Sequence, residues 1–137
     1  FNKARQRKLK PVESTNLKLF NESIQKWCSR VDSKNTRFDL GLCNSVFQYI
    51  TTEDLKEIVP VLSKRIKYLY LTVPTDIELD RQIEELEFHD TYAIRRSRKF
   101  YRDLVGKHFT NISSKLWESK HYFDEKTSLF TDLLYRS

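Results

Sequence analysis

The chain has 137 residues, 39% of them hydrophobic and 13% aromatic, so it is large enough for one domain with a buried core and is not compositionally disordered. No apolar run approaches the ~20 residues that cross a bilayer, and no secretory signal segment opens the sequence. Two cysteines, Cys28 and Cys43, are too few for a disulfide scaffold, so we expect an intracellular, reducing compartment, cytoplasmic rather than nuclear. The sequence starts at Phe1 and contains no Met, and we therefore expect it to be a piece of something longer.

The net charge of +6 resides mainly in the first ten residues. The remaining 127 residues hold 20 basic and 19 acidic residues, so they are nearly neutral. We interpret residues 1–16 as a basic tail or linker, and a solvated linker is favoured over an arm that contacts nucleic-acid phosphates. The basic residues of this tail are Lys3, Arg5, Arg7, Lys8 and Lys10.

The first half of the remaining sequence alternates apolar runs with polar breaks. Residues 17–20 predict a short strand, 24–28 a helical turn or a loop, and 29–37 a polar loop. Residues 38–43 are nearly all apolar, which is typical of a strand covered on both faces. A second apolar stretch follows at residues 46–50.

A helix is predicted over residues 54–67, because a hydroxyl cap and acidic residues precede apolar side chains at helical spacing. Pro60 is expected to kink this helix or shift its start. Residues 68–73 form the clearest strand in the sequence, since they are β-branched or aromatic almost throughout, and Pro74 stops it.

The last part of the sequence predicts two helices and two strands. The helices span residues 76–106 and meet near residues 88–92, with Gly106 as the stop. The strands cover residues 112–117 and 128–135. Charge divides the helical region into an acidic block and a basic block, which we interpret as a solvated helix face rather than a phosphate- or nucleic-acid-binding face. The basic block comprises Arg95, Arg96, Arg98, Lys99 and Arg102.

This order of strands and helices predicts an α/β fold with an open sheet and crossover helices. Ligands of such sheets bind beyond the carboxyl ends of the strands. The candidate positions are therefore the polar breaks after apolar runs, at residues 21–24, 43–45 and 74–75.

The order of these motifs resembles the carboxyl-terminal half of a class I S-adenosylmethionine-dependent methyltransferase. Residues 38–50 are similar to that family's fourth motif, 54–67 to the following helix, and 68–75 to its fifth strand, which often ends in Val-Pro. Residues 100–109 resemble the final helix, and 112–117 and 128–135 the closing antiparallel pair. The resemblance implies a Rossmann-like open sheet, with residues 17–137 as the carboxyl-terminal portion of the domain.

The resemblance also implies functional residues. Around the cofactor, S-adenosylmethionine, these are Glu22, Ser23, Ile24, Cys43, Asn44 and Ser45, and around the methyl acceptor they are Tyr49, Pro74 and Thr75. Plainer interpretations stay open: Glu22 as a solvated residue, Cys43 and Asn44 as a buried residue and a turn former, and Tyr49 as a packing residue. No catalytic residue is assigned, and the spacing of His and Cys residues predicts no metal site.

The chain departs from the family in one important respect. Its two glycines, Gly41 and Gly106, cannot form the glycine-rich turn that lets backbone approach the cofactor. The strands that normally lie beside residues 38–43 also have no counterpart, so we expect upstream sequence, another chain or a different strand arrangement to supply them.

Three functions follow as hypotheses. The first is a portion of a methyltransferase that transfers a methyl group to an unknown acceptor, with S-adenosylmethionine bound once the missing half is supplied. The second is a catalytically inactive, methyltransferase-like interaction or scaffold subunit. The third is a nucleic-acid-binding accessory domain acting through the basic tail and the basic block.

Overall fold

A computed structural model describes residues 17–32 and 36–123 of the chain. These residues form a mixed α/β structure with one four-stranded sheet. The helices are α1 (Ile24–Asp32), α2 (Thr52–Arg65), α3 (Asp76–Leu86) and α4 (Arg98–Gly106), and a single 3₁₀ turn covers Phe47–Tyr49. The strands are β1 (Phe38–Asn44), β2 (Ile66–Thr72), β3 (Phe109–Ser113) and β4 (Leu116–Ser119).

The sheet has the order β1-β2-β4-β3. β1 and β2 are parallel, with Leu42 beside Tyr70, and α2 provides the crossover between them. β4 runs antiparallel to both of its neighbours, β2 and β3. The predicted open sheet with a crossover helix is therefore confirmed.

Side-chain caps define where the helices begin. The Thr51 hydroxyl accepts a 3.2 Å hydrogen bond from the Asp54 amide at the start of α2, and the Ser97 hydroxyl accepts one of 3.1 Å from the Phe100 amide at the start of α4. Such caps satisfy amides that have no partner within the helix. Because α2 begins directly after Thr51, Pro60 lies inside the helix and does not shift its start.

The hydrophobic core lies on one face of the sheet. Leu69 of β2 and Phe109 of β3 are almost fully buried there, at 2% and 1% exposure. The helices α2 and α4 supply most of the opposing apolar side chains. They are Leu55, Ile58, Val59 and Leu62 from α2, and Tyr101, Leu104 and Val105 from α4.

The other face is exposed along β1 and β2. Leu40 and Leu42 are 53% and 73% exposed, and Phe38 and Tyr70 are also exposed. We call these four residues the open face. The prediction that residues 38–43 are covered on both faces is thus wrong for the described part of the chain, because α2 and α4 pack on the opposite face.

The structure corrects three further boundaries. Residues 17–20 form neither a helix nor a strand, and α1 extends to Asp32 through much of the predicted loop. The two predicted helices of residues 76–106 exist, but residues 87–97 separate them, since Glu87 adopts a left-handed conformation that ends α3.

The strand predicted over residues 112–117 is a hairpin turn and parts of two strands. Ser114 has a positive φ of 41°, and the Asn111 side-chain amide donates to the carbonyls of Ser114 and Leu116. These local bonds reverse the chain between β3 and β4. The second predicted strand, 128–135, lies outside the described residues. Within the described ranges, every helix is too short or too polar to span a bilayer.

Candidate functional site

Two of the three predicted ligand positions meet at one rim of the sheet. β1 ends at Asn44 beside Thr72, where β2 ends. The Thr72 hydroxyl donates to the Asn44 side-chain carbonyl, and the Ser45 amide donates to the Thr72 carbonyl at 2.9 Å. Since the two strands are parallel, residues 43–45 and 74–75 lie together, as predicted.

A cavity of about 570 Å³ lies at this rim, which we call the rim cavity. Its volume is in the range of small-molecule sites. All three residues predicted to contact the methyl acceptor line it, together with Ser45 of the predicted cofactor group. Its walls come from β2, α3, the first turns of α4, and the β3–β4 hairpin. They include Tyr49, Pro74, Thr75, Glu78, Phe88, Asp90, Arg98, Tyr101, Arg102, Lys115 and Trp117.

The acidic residues of the rim cavity, Glu78 and Asp90, form hydrogen bonds with other residues that line the cavity. The Tyr49 hydroxyl lies 2.5 Å from Asp90 Oδ2, and this hydrogen bond raises the pKa of Tyr49, so the phenol stays protonated and donates. Glu78 accepts from the Thr75 amide at 2.6 Å and from its hydroxyl, closing a capping box. The hydrogen bond from the Thr75 hydroxyl lowers the pKa of Glu78, which favours the carboxylate.

The basic block of residues 95–102 does not form a single surface. Arg96 is only 7% exposed. Its guanidinium donates to the Ile50 carbonyl at 2.6 Å, and to the Phe47 carbonyl and the Tyr101 hydroxyl at 3.2 Å each. Arg96 therefore ties the 3₁₀ turn to α4 and is not available to contact a nucleic acid. The prediction that Arg96 belongs to a solvated helix face is therefore wrong, because its side chain is buried and bonded within the fold.

The other members of the block separate into paired and unpaired residues. Arg95 bonds Asp80 at 2.6 Å, and Lys99 bonds Asp103. Arg98 and Arg102 make no ion pair or hydrogen bond through their side chains within the described ranges, and both line the rim cavity. The five basic residues of the tail lie outside those ranges.

A second cavity, of about 450 Å³, follows the outer edge of β1, and we call it the edge cavity. Gly41, Leu42 and Cys43 all line it. Because successive strand residues point to opposite faces, three in a row are reached together only at the edge. Four of the predicted cofactor residues line it, namely Glu22, Ser23, Ile24 and Cys43. Asn44 lines neither cavity.

Glu22 and Ser23, which precede α1, already have partners in that helix. Glu22 Oε1 lies 2.6 Å from Arg30 Nη2, and this hydrogen bond lowers the pKa of Glu22. The Ser23 hydroxyl accepts a 3.1 Å bond from the Lys26 amide, as a helix cap does. A ligand that bonded Glu22 would have to compete with Arg30.

Cys43 and Gly41 are better explained by packing than by chemistry. Burial raises the pKa of Cys43 to about 12, so its thiol stays protonated and is a poor nucleophile at neutral pH. A Cβ on Gly41 would lie 2.6 Å from Ile66 Cδ1, so a larger residue here would have to displace the end of the Ile66 side chain. No group of three or more metal-ligating side chains occurs among residues 17–32 and 36–123.

The polar breaks in the sequence predicted the rim, but several residues that line the rim cavity were not predicted. Asp90, Lys115 and Trp117 come from a loop and from the unpredicted hairpin. In the sequence, only the spacing of Arg98 and Arg102 could have indicated a shared site, because residues four apart lie on one side of a helix. Compared with known proteins, the chain matches no family model, no curated protein and no solved structure.

Proposed function

We propose that the chain is the carboxyl-terminal portion of an S-adenosylmethionine-dependent methyltransferase domain. The observation that carries the proposal is the order of the sheet, in which two parallel strands are followed by a closing antiparallel pair. This is the order implied by the resemblance, although the closing pair is β3 and β4 rather than the segments first predicted. The methyl acceptor would enter the rim cavity, and the edge cavity would form one side of the cofactor site.

The open side of β1 supports the same proposal. No strand among the described residues pairs with its outer edge, and Leu40 and Leu42 are exposed beside it. Parallel strands are normally buried on both faces, and a bare apolar edge favours aggregation. The remaining strands of a methyltransferase domain would pair with this edge, and their helices would cover the open face.

The residues of the edge cavity fit only part of the cofactor. Phe20, Trp27 and Ile24 offer an apolar wall suited to a flat base, but Glu22 is paired with Arg30, and no glycine-rich turn is present. The rest of the cofactor site must therefore be contributed from outside the described residues.

When bound, S-adenosylmethionine supplies an electrophilic methyl group. The side chains of this chain would position the acceptor and keep water from it, which is the protein's main task in such a reaction. The residues placed for that task are Tyr49, Pro74 and Thr75 at the rim cavity, and Ser45 lines the same cavity.

The test is calorimetric titration of S-adenosylmethionine into the protein isolated with whatever chain it is joined to or associated with in the cell. We expect saturable binding below millimolar concentration. Ile24→Trp, which fills the edge cavity, should abolish it. Ile77→Trp is the matched control, because Ile77 is exposed on α3 and lines neither cavity. An absence of binding at millimolar cofactor contradicts the proposal.

A second candidate is a methyltransferase-like subunit that binds a partner and has lost cofactor binding. The Glu22–Arg30 ion pair favours it, since the predicted cofactor-binding carboxylate is already neutralised. The same titration separates the two. A stable assembly that covers the open face but binds no cofactor supports the second candidate.

A further inference from the structure

The first turns of α4 present two arginines to the rim cavity. Arg98 and Arg102 are four residues apart on the helix, so their side chains lie on the same side, and both line the cavity. Like charges at this spacing repel each other. Within the described ranges, neither guanidinium has an acidic partner, whereas Lys99 on the neighbouring side of the helix pairs with Asp103.

The remaining charges of the cavity add to this excess. Lys115, in the β3–β4 turn, contributes a third cation to the lining, and no side-chain partner for it occurs among the described residues. The two carboxylates that line the cavity are occupied, Asp90 by the Tyr49 hydroxyl and Glu78 by Thr75. Counting only the residues that the structure describes, the cavity thus holds three cations without side-chain partners and two anions with hydrogen bonds of their own.

The start of α4 strengthens the positive potential. Its first turn contains no acidic residue, whereas α2 and α3 each carry two. The amino end of a helix is the positive end of its dipole, so an anion beside Arg98 gains from both. Trp117, Phe88 and Tyr101 add aromatic surface to the same cavity.

We propose that the rim cavity binds the oxyanion of a small acidic molecule, a carboxylate or a phosphate, through Arg98, Arg102 and Lys115. Arginine is suited to both groups because its planar guanidinium donates two parallel hydrogen bonds. The aromatic residues contact the apolar body of the same molecule. One further inference rests on the proposed function. If the rim cavity receives the methyl acceptor, that acceptor is an acidic small molecule.

The two tryptophans allow each cavity to be monitored separately, since Trp27 lines the edge cavity and Trp117 the rim cavity. In the full chain carrying Trp27→Phe, the fluorescence of Trp117 is followed while inorganic phosphate or malonate is added. We expect a saturable change with at least one of them, weakened by added sodium chloride. The anion that binds more tightly identifies the group as phosphate or carboxylate.

Variants locate the site. Arg98→Gln and Arg102→Gln should each weaken anion binding about tenfold, the loss expected for one charge-assisted hydrogen bond. Lys99→Gln removes the same charge from the other side of the helix and should leave binding within about twofold. Melting curves verify that every variant folds.

Several results would overturn the proposal. These are no saturable response to either anion, equal losses in all three variants, or arginine-dependent binding of a single-stranded oligonucleotide without binding of small anions. Cofactor binding is followed independently through Trp27 in a Trp117→Phe variant of the native assembly. Anion binding without cofactor binding would support the anion site and contradict the methyltransferase proposal. Cofactor binding without anion binding would support the methyltransferase proposal and contradict the anion site.

Discussion

The two faces of the sheet differ sharply although the same strands form them. On the covered face, Leu69 is 2% exposed and packs against α2 and α4. On the open face, Leu42 in the neighbouring strand is 73% exposed. Both are leucines in parallel strands, so composition does not distinguish them. The difference teaches that the covered face stabilises these residues as a folded unit, while the open face leaves apolar side chains in solvent, as the proposed function would lead us to expect.

The largest expected difference is between these two leucines. Leu69→Ala should lower the free energy of unfolding by about 2–5 kcal/mol, because it leaves a cavity in a packed core. Leu42→Ala should change it by less than about 0.5 kcal/mol in the isolated chain, since this side chain is largely in solvent. Urea denaturation of both variants measures the difference, and equal losses would show that the open face is covered in solution.

Arg96 extends the comparison to a buried polar residue on the covered side. Arg96→Met should destabilise the chain by about 2–4 kcal/mol, because the carbonyls of Phe47 and Ile50 lose their donor. Arg95→Met, which breaks only the exposed bond to Asp80, should cost less than about 1 kcal/mol. Thermal melting distinguishes them. An unchanged melting temperature for Arg96→Met would contradict the buried position of Arg96 and indicate that its side chain lies on the surface.

The two glycines provide a sharper test of packing around β1. Gly41→Ala should cost about 1–3 kcal/mol, because its Cβ would press on Ile66. Gly106→Ala should be neutral or stabilising by up to about 1 kcal/mol, since no atom lies within 4 Å of the added Cβ and φ is not positive. Adding Ile66→Val should recover part of the loss at Gly41. Stability unchanged by Gly41→Ala would contradict the described packing of β1 on Ile66.

The ionisation of Cys43 has the smallest expected effect on folding stability at neutral pH. Burial raises the pKa of its thiol from 9.0 to about 12. The folded state therefore holds this proton where the unfolded state releases it, so stability should fall as pH rises from about 9 towards 12. Near pH 8, a thiol reagent should modify Cys43 only after denaturant is added, as peptide mapping would reveal. Rapid modification of the native chain at that pH would show that Cys43 is not buried.

The sequence predicted elements with strong local signals. The cap at Thr51 and the apolar spacing after it identified α2, and the aromatic and β-branched residues near Tyr68 identified β2. The β3–β4 hairpin was missed, because its reversal depends on a left-handed Ser114 rather than on glycine or proline.

The candidate site also contains some residues that the sequence predicted and others that only the tertiary structure revealed. Residues 43–45 and 74–75 were predicted to lie at one rim because they follow the carboxyl ends of strands, and they do. Tyr49, which was assigned only through the resemblance, lines the same cavity as Pro74 and Thr75. The partners that decide the chemistry came from tertiary structure, as with Asp90 beside Tyr49 and Arg30 beside Glu22. The exposure of Leu42 was likewise invisible, because an apolar run does not show which face a helix will cover.

The proposed function requires that further strands pair with the outer edge of β1, and hydrogen–deuterium exchange of the β1 amides tests this most directly. Exchange is compared between the isolated chain and the protein in its native assembly with S-adenosylmethionine. We predict that the Leu40, Leu42 and Asn44 region exchanges at least about a hundredfold more slowly in the assembly, as newly paired strand amides do. Equal exchange rates in the two states would contradict the account.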